Sequence, residues 1–126
     1  MKDALRTLLG KIEPFATLLW WVSLIIVIVL TLTPGLGPPG RFGLDKAVHF
    51  IAFGWLSLLA ALVLRERGGR WAMAVLVLSA LGTEMAQMIV ATRSSMISDA
   101  VANLAGIAVG MALGRAVARA FRPQDE

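Results

Sequence analysis

A chain of 126 residues has room for one domain, and with 58% hydrophobic but only 16% charged residues it lies outside the usual range of a soluble fold. The lack of cysteine excludes a disulfide and a thiolate metal site, and leaves the redox compartment unreadable. The formal charge of +4 arises from basic residues dispersed over several loops instead of one face, which argues against a nucleic-acid partner.

At the start of the chain, Leu5, Leu8, Leu9 and Ile12 recur at helical spacing opposite Lys2, Arg6 and Lys11. That pattern suits a short amphipathic helix, over residues 1–14, lying on the inner membrane surface, with a frayed tail as the alternative. Pro14 then fits the first turn of a following helix. A bilayer core of about 30 Å needs roughly 20 helical residues to cross it. Four apolar windows approach that length: about Phe15 to Leu32, Ala47 to Leu64, Trp71 to Val90 and Ala100 to Leu113, the last being the shortest and least apolar. Unsatisfied backbone amides are too costly in hydrocarbon, and nothing alternates with the period of a barrel strand, so each window predicts a helix. The expected fold is all-α, an integral membrane four-helix bundle over residues 15–114, followed by a basic tail at 115–126. After the first window, "TLTPGLGPPGRFG" offers no small-x-small cleavage site, so that window is expected to stay in the protein. The same stretch, rich in Pro and Gly, reads as a stiff, irregular connector.

The basic residues set the expected topology. Lys2, Arg6, Lys11, Arg65, Arg67, Arg70, Arg115, Arg119 and Arg122 fall on one side of the spans, against Arg41, Lys46 and Arg93 on the other. Under the positive-inside rule both termini and the middle loop are cytoplasmic, and the other two loops are outside. By the same reasoning Trp20, Trp21 and Trp71 are expected near the inner interface, and Trp55 in packing.

On this topology the polar residues of three spans converge. The segment "DKAVHF" opens the second span with Asp45 and Lys46 at the outer surface and His49 about 6 Å deeper, the three sharing an arc of roughly 100°. The third span runs outward, so Glu84 and Gln87, an i,i+3 pair, lie within about 12 Å of its outer end. Asp99 and Asn103, an i,i+4 pair, then descend on the fourth span. They share a stripe of roughly 80° with Gly106, Gly110 and Gly114. Successive G-x-x-x-G steps let another helix backbone come close, whether the second span of the same chain or a second copy. An ionised carboxylate facing lipid costs roughly 2.5–3.5 kcal/mol at a helix centre, so Glu84 must face inward, with His49, Lys46 or Arg93 as its expected partner.

These residues resemble the pattern of the VanZ-like family of small integral membrane proteins. "DKAVHF" at 45–50, "EMAQ" at 84–87 and "RSSMISDAVANLAGIAVG" at 93–110 match its Asp-Lys-x-x-His-Phe, Glu-x-x-Gln and R-x5-D-x3-N-x2-G-x3-G elements. The matching positions are Asp45, Lys46, His49, Glu84, Gln87, Arg93, Asp99, Asn103, Gly106 and Gly110, and the resemblance covers about Asp45 to Gly114. The family is named for a protein associated with resistance to the glycopeptide teicoplanin, which acts at the outer surface on cell-wall precursors. The resemblance therefore implies a cell-envelope protein, without implying a substrate.

Amide side chains such as Gln87 and Asn103 suffice as glue between helices, whereas ionisable groups such as His49, Glu84 and Arg93 inside a membrane point to function. The reading preferred from the residues is a binding module. In it Asp45, Lys46, His49, Glu84, Gln87, Arg93, Asp99 and Asn103 line an outward-facing pocket, with Lys46, Arg93 and Arg41 at its rim. The ligand would be the head group of a membrane lipid or lipid-linked cell-wall intermediate, for whose phosphate the planar fork of Arg is suited. One alternative is an outer-interface enzyme acting on a lipid phosphate, with His49 as base or nucleophile, a carboxylate orienting it and Arg93 stabilising charge. Membrane phosphatases pair two histidines, and this chain has one. The other alternative is a small transporter with Glu84 and His49 as relay. It would require an oligomer, because "LSLLAALVL" and "AMAVLVLSA" are apolar. No cofactor is expected, and no metal either, since His49, Asp45, Glu84 and Asp99 show no recognised ligand spacing.

Overall fold

Each apolar window folds as one α-helix. The computed structural model describes residues 2–33, 35–36, 43–64, 66–90 and 97–120. Within them the helices are α1 (Lys2–Leu32), α2 (Leu44–Val63), α3 (Glu66–Val90) and α4 (Ile97–Ala120). Each carries a stretch of 20 to 24 residues long and apolar enough to cross a bilayer. The protein is thus an all-helical, multi-pass membrane protein of the expected class.

Three helix boundaries differ from expectation, one of them the start of α3, which lies at Glu66, five residues before the expected Trp71. The surface segment and the first span form one rod, with Pro14 inside α1. At 1.5 Å per residue, 31 residues extend about 46 Å, well beyond a bilayer core of about 30 Å, and the apolar part is Lys11–Leu32. At the other end, α4 continues past Arg115 and Arg119 to Ala120. Hydropathy stops at the first arginine, but helix propensity does not, and a basic residue in the last turn suits the negative end of the helix dipole.

Burial is inverted relative to a soluble bundle. Ser57, Thr83, Glu84, Gln87 and Asn103 are buried, whereas Phe15, Ile25, Val29, Ile51, Leu78 and Ile89 are exposed. Such apolar surface is stable only against lipid, and it leaves polar side chains to be satisfied inside. Between them lies an apolar core of Trp20, Leu24, Phe53, Leu56, Ala60, Leu76 and Ile107, among others.

The most extensive helix pair is α2 with α4. A Cβ added at Gly106 would meet the Phe50 carbonyl, one at Gly110 the Gly54 carbonyl, and one at Gly114 would come within 2.6 Å of the Ala61 Cβ. The glycine stripe therefore packs on helix 2 of the same chain. Because the register rises together along both helices, α2 and α4 run parallel. Ser57 adds a polar stitch, its Oγ donating to the Ile107 carbonyl at 2.7 Å. The reversed helix α3 lies against both, with His49 near Glu84 at one end and Ser57 near Met73 further down. On the far side, α1 packs on α2 and α3 and does not touch α4 among the described residues.

Trp20 fastens α1 in place. It is 2% exposed and its Nε1 donates to the Leu56 carbonyl at 2.9 Å, so it is a core anchor and not the interfacial ring that its place near the start of the apolar window suggested. Trp55, expected in packing, is exposed instead. The outcome of this arrangement is one polar end, where α1 and α3 finish and α2 and α4 begin.

Candidate functional site

Gly43, at φ 70°, turns the chain into α2 through the left-handed region that favours glycine. This puts Asp45 in the first turn of α2, and Asp99 occupies the equivalent place in α4. Carboxylates there meet the positive ends of two helix dipoles, which by itself stabilises them. Lys46 bridges the two starts. Its Nζ lies 3.3 Å from Asp45 Oδ2 and 3.6 Å from Asp99 Oδ1, the second being an ion pair too long for a hydrogen bond.

One turn deeper the three helices share a hydrogen-bonded row. Asn103 Nδ2 donates to Glu84 Oε1 at 3.3 Å, and Asn103 Oδ1 lies 2.9 Å from His49 Nδ1. An ionised carboxylate can only accept, so it takes the amide nitrogen and leaves the amide oxygen for the imidazole. The proton of a neutral His49 then sits on Nδ1, and the lone pair of Nε2 remains available. The imidazole Nδ1 is also 4.0 Å from Glu84 Oε1. Exposure falls from 36% at the Lys46 side chain to 12% at His49 and 0% at Asn103, so the cluster has a wet rim and a dry floor.

Gln87, expected beside Glu84 in the pocket, is held elsewhere: its Nε2 donates at 2.8 Å to the carbonyl of Thr31 in the last turn of α1. Carbonyls there lack a partner within their own helix, so Gln87 caps α1 from α3. The i,i+3 pair on α3 thus serves two neighbours, Glu84 reaching α4 and Gln87 reaching α1. Arg93 and Arg41, the expected rim cations, lie outside the described residues. Of the expected site residues, the structure brings together Asp45, Lys46, His49, Glu84, Asp99 and Asn103.

The donor set of this cluster is more specific than its spacing along the chain suggested. One ligand atom each from His49, Glu84 and Asp99 lie within 4.8 Å of one another. Spacing rules describe ligand sets with neighbours close together in sequence, and these three come one from each of three helices, so the absence of a spacing motif carried no information. Sequence reasoning also passed over Thr31 and Ser57, and placed Trp20 at the interface instead of in the core. Ser57 had a readable signal, a hydroxyl eight residues after His49 in an otherwise apolar span, but all three act through partners distant in sequence.

A family model described as VanZ/LLP1 matches residues 5–118. The chain belongs to the VanZ/LLP1 family. No curated protein and no solved structure matches the chain. The VanZ/LLP1 match reaches well beyond the motifs at 45–110 that first suggested it, and takes in α1 with Trp20 and Thr31. The VanZ/LLP1 region therefore includes both the polar cluster and the helix that packs behind it.

Proposed function

We propose that this VanZ/LLP1 protein resides in a bacterial plasma membrane with both termini cytoplasmic, and that its polar end opens outward to bind the head group of a lipid or lipid-linked cell-wall precursor. The observation that carries this reading is the graded cluster itself, a partly exposed ammonium at Lys46 above a mostly buried imidazole and a fully buried amide, assembled from three helices at one end of the bundle. Ionisable groups in a membrane are expensive and are retained where they do something. An ammonium beside carboxylates suits a head group that offers both phosphate and hydroxyl or amine groups. The outward orientation rests on the distribution of Lys and Arg among the loops. Teicoplanin, with which the family's name is associated, acts on precursors at that surface.

The test is native mass spectrometry of protein released from nanodiscs. Wild-type protein is expected to carry a lipid or a lipid-linked precursor, and a Lys46→Gln, Glu84→Gln double variant with unchanged helicity and elution is expected to lose it. Lipid-free wild-type protein, or retention indifferent to both changes, overturns the reading. The freed Nε2 of His49 supports a second, enzymatic reading at the same place. Turnover of a lipid phosphate that vanishes in folded His49→Ala protein would favour that reading over simple binding.

A further inference from the structure

We propose that His49, Glu84 and Asp99 form a divalent-cation site joining α2, α3 and α4. The inference stands on the donor geometry and does not depend on the head-group reading. Three atoms that are all within 4.8 Å of one another have a common point no farther than about 2.8 Å from each. Zinc-to-nitrogen and zinc-to-oxygen bonds are roughly 2.0–2.2 Å, so an inward movement of about 0.7 Å per side chain closes the site, well within the reach of small rotamer adjustments.

The surroundings fit a cation. Among the described residues, Asp45, Glu84 and Asp99 bring three carboxylates to this end of the bundle, beside the ammonium of Lys46 and the imidazole of His49. Among the described residues no hydrogen bond reaches Asp99 Oδ1 or Asp45 Oδ1, although both atoms are buried. The Asn103 amide, by donating to Glu84, supplies the outer-shell hydrogen bond that orients a ligating carboxylate. One imidazole with two carboxylates is a nitrogen and oxygen set of borderline hardness, suited to zinc or manganese more than to magnesium or a thiophilic ion. Three protein ligands leave at least one coordination position for water or for an anionic ligand such as a phosphate oxygen. Lys46, 3.6 Å from Asp99 Oδ1, competes with the ion for the same carboxylate.

Detergent-purified full-length protein, stripped with a chelator, is titrated with zinc and with manganese by calorimetry. Wild-type protein is expected to bind one ion per chain with micromolar or tighter affinity. His49→Gln, Glu84→Gln and Asp99→Asn should each weaken binding at least tenfold, while Lys46→Gln tightens it several-fold by removing the competing charge. Failure of wild-type protein to bind below about 100 micromolar overturns the site, as does binding that survives all three ligand substitutions. Should those variants fail to fold, wild-type protein loaded with copper(II) decides the matter by pulsed electron paramagnetic resonance. Modulation from a single imidazole nitrogen is expected, and since His49 is the one histidine in the chain, its absence overturns the proposal.

Discussion

Among the described residues, Asn103 joins His49 to Glu84 on the dry floor of the polar cluster, and it has no water to fall back on. An average hydrogen bond between membrane helices is worth only about 0.6 kcal/mol, but removing one partner of a buried polar group adds that group's desolvation, about 1–3 kcal/mol. Asn103→Leu is therefore expected to destabilise the protein by about 2–3 kcal/mol. Gln87→Met, which gives up a single bond to the Thr31 carbonyl, should cost about 0.6 kcal/mol. Equilibrium unfolding in mixed micelles compares them, and equal losses would contradict the central place given to Asn103. The identities of these residues were legible in the sequence, since a charged or amide side chain in a lipid-crossing helix must turn inward. The partner of each was not: nothing along the chain distinguishes Gln87 facing Thr31 from Gln87 facing His49.

At the level of the helix, glycine decides how near two backbones come. The Gly106, Gly110 and Gly114 stripe was visible as a periodic pattern, and its opposing surface, centred on Gly54, emerged only in the fold. A methyl group at Gly110 would strike the Gly54 carbonyl, and backbone atoms cannot swing aside as a flexible side chain does. Gly110→Ala should cost about 1–3 kcal/mol, of the order of other overpacked interiors, and should loosen the α2 and α4 starts that hold His49 and Asp99. Gly82, in α3, has open space around its Cβ position. There the change to alanine is expected to be neutral, or stabilising by up to about 1 kcal/mol through helix propensity. The same unfolding experiment, with Gly82→Ala as control, tests whether close approach or mere composition explains the stripe. Helix lengths were less legible than helix positions, as α1 and α4 show. Hydropathy reports where lipid ends, while the hydrogen-bonded rod continues until its propensity fails.

For the molecule as a whole, the alternation of α1 to α4 carries the starts of α2 and α4, with Asp45 and Asp99, to the same face as the end of α3, with Glu84. Which face of the membrane that end occupies is an electrostatic question, resting on the basic loops. The chain has no cysteine, so single introduced thiols report cleanly. In intact cells Leu36→Cys is expected to react with a membrane-impermeant maleimide, whereas Gly68→Cys reacts only after permeabilisation. The opposite pattern would place the polar cluster on the cytoplasmic side and remove the proposed access to envelope precursors.

By itself the sequence determined the class of fold, the approximate spans, and the set of residues that had to avoid lipid, because each follows from a local transfer cost that a side chain incurs wherever its neighbours happen to be. The tertiary structure alone decided which of those residues meet. It placed Trp20 on the Leu56 carbonyl, drew Gln87 away to α1, laid the glycine stripe on α2, and set one imidazole and two carboxylates from three helices within 4.8 Å. Contacts between helices depend on their relative rotation and crossing, which are set jointly by every packed side chain and are written in no single stretch of the chain.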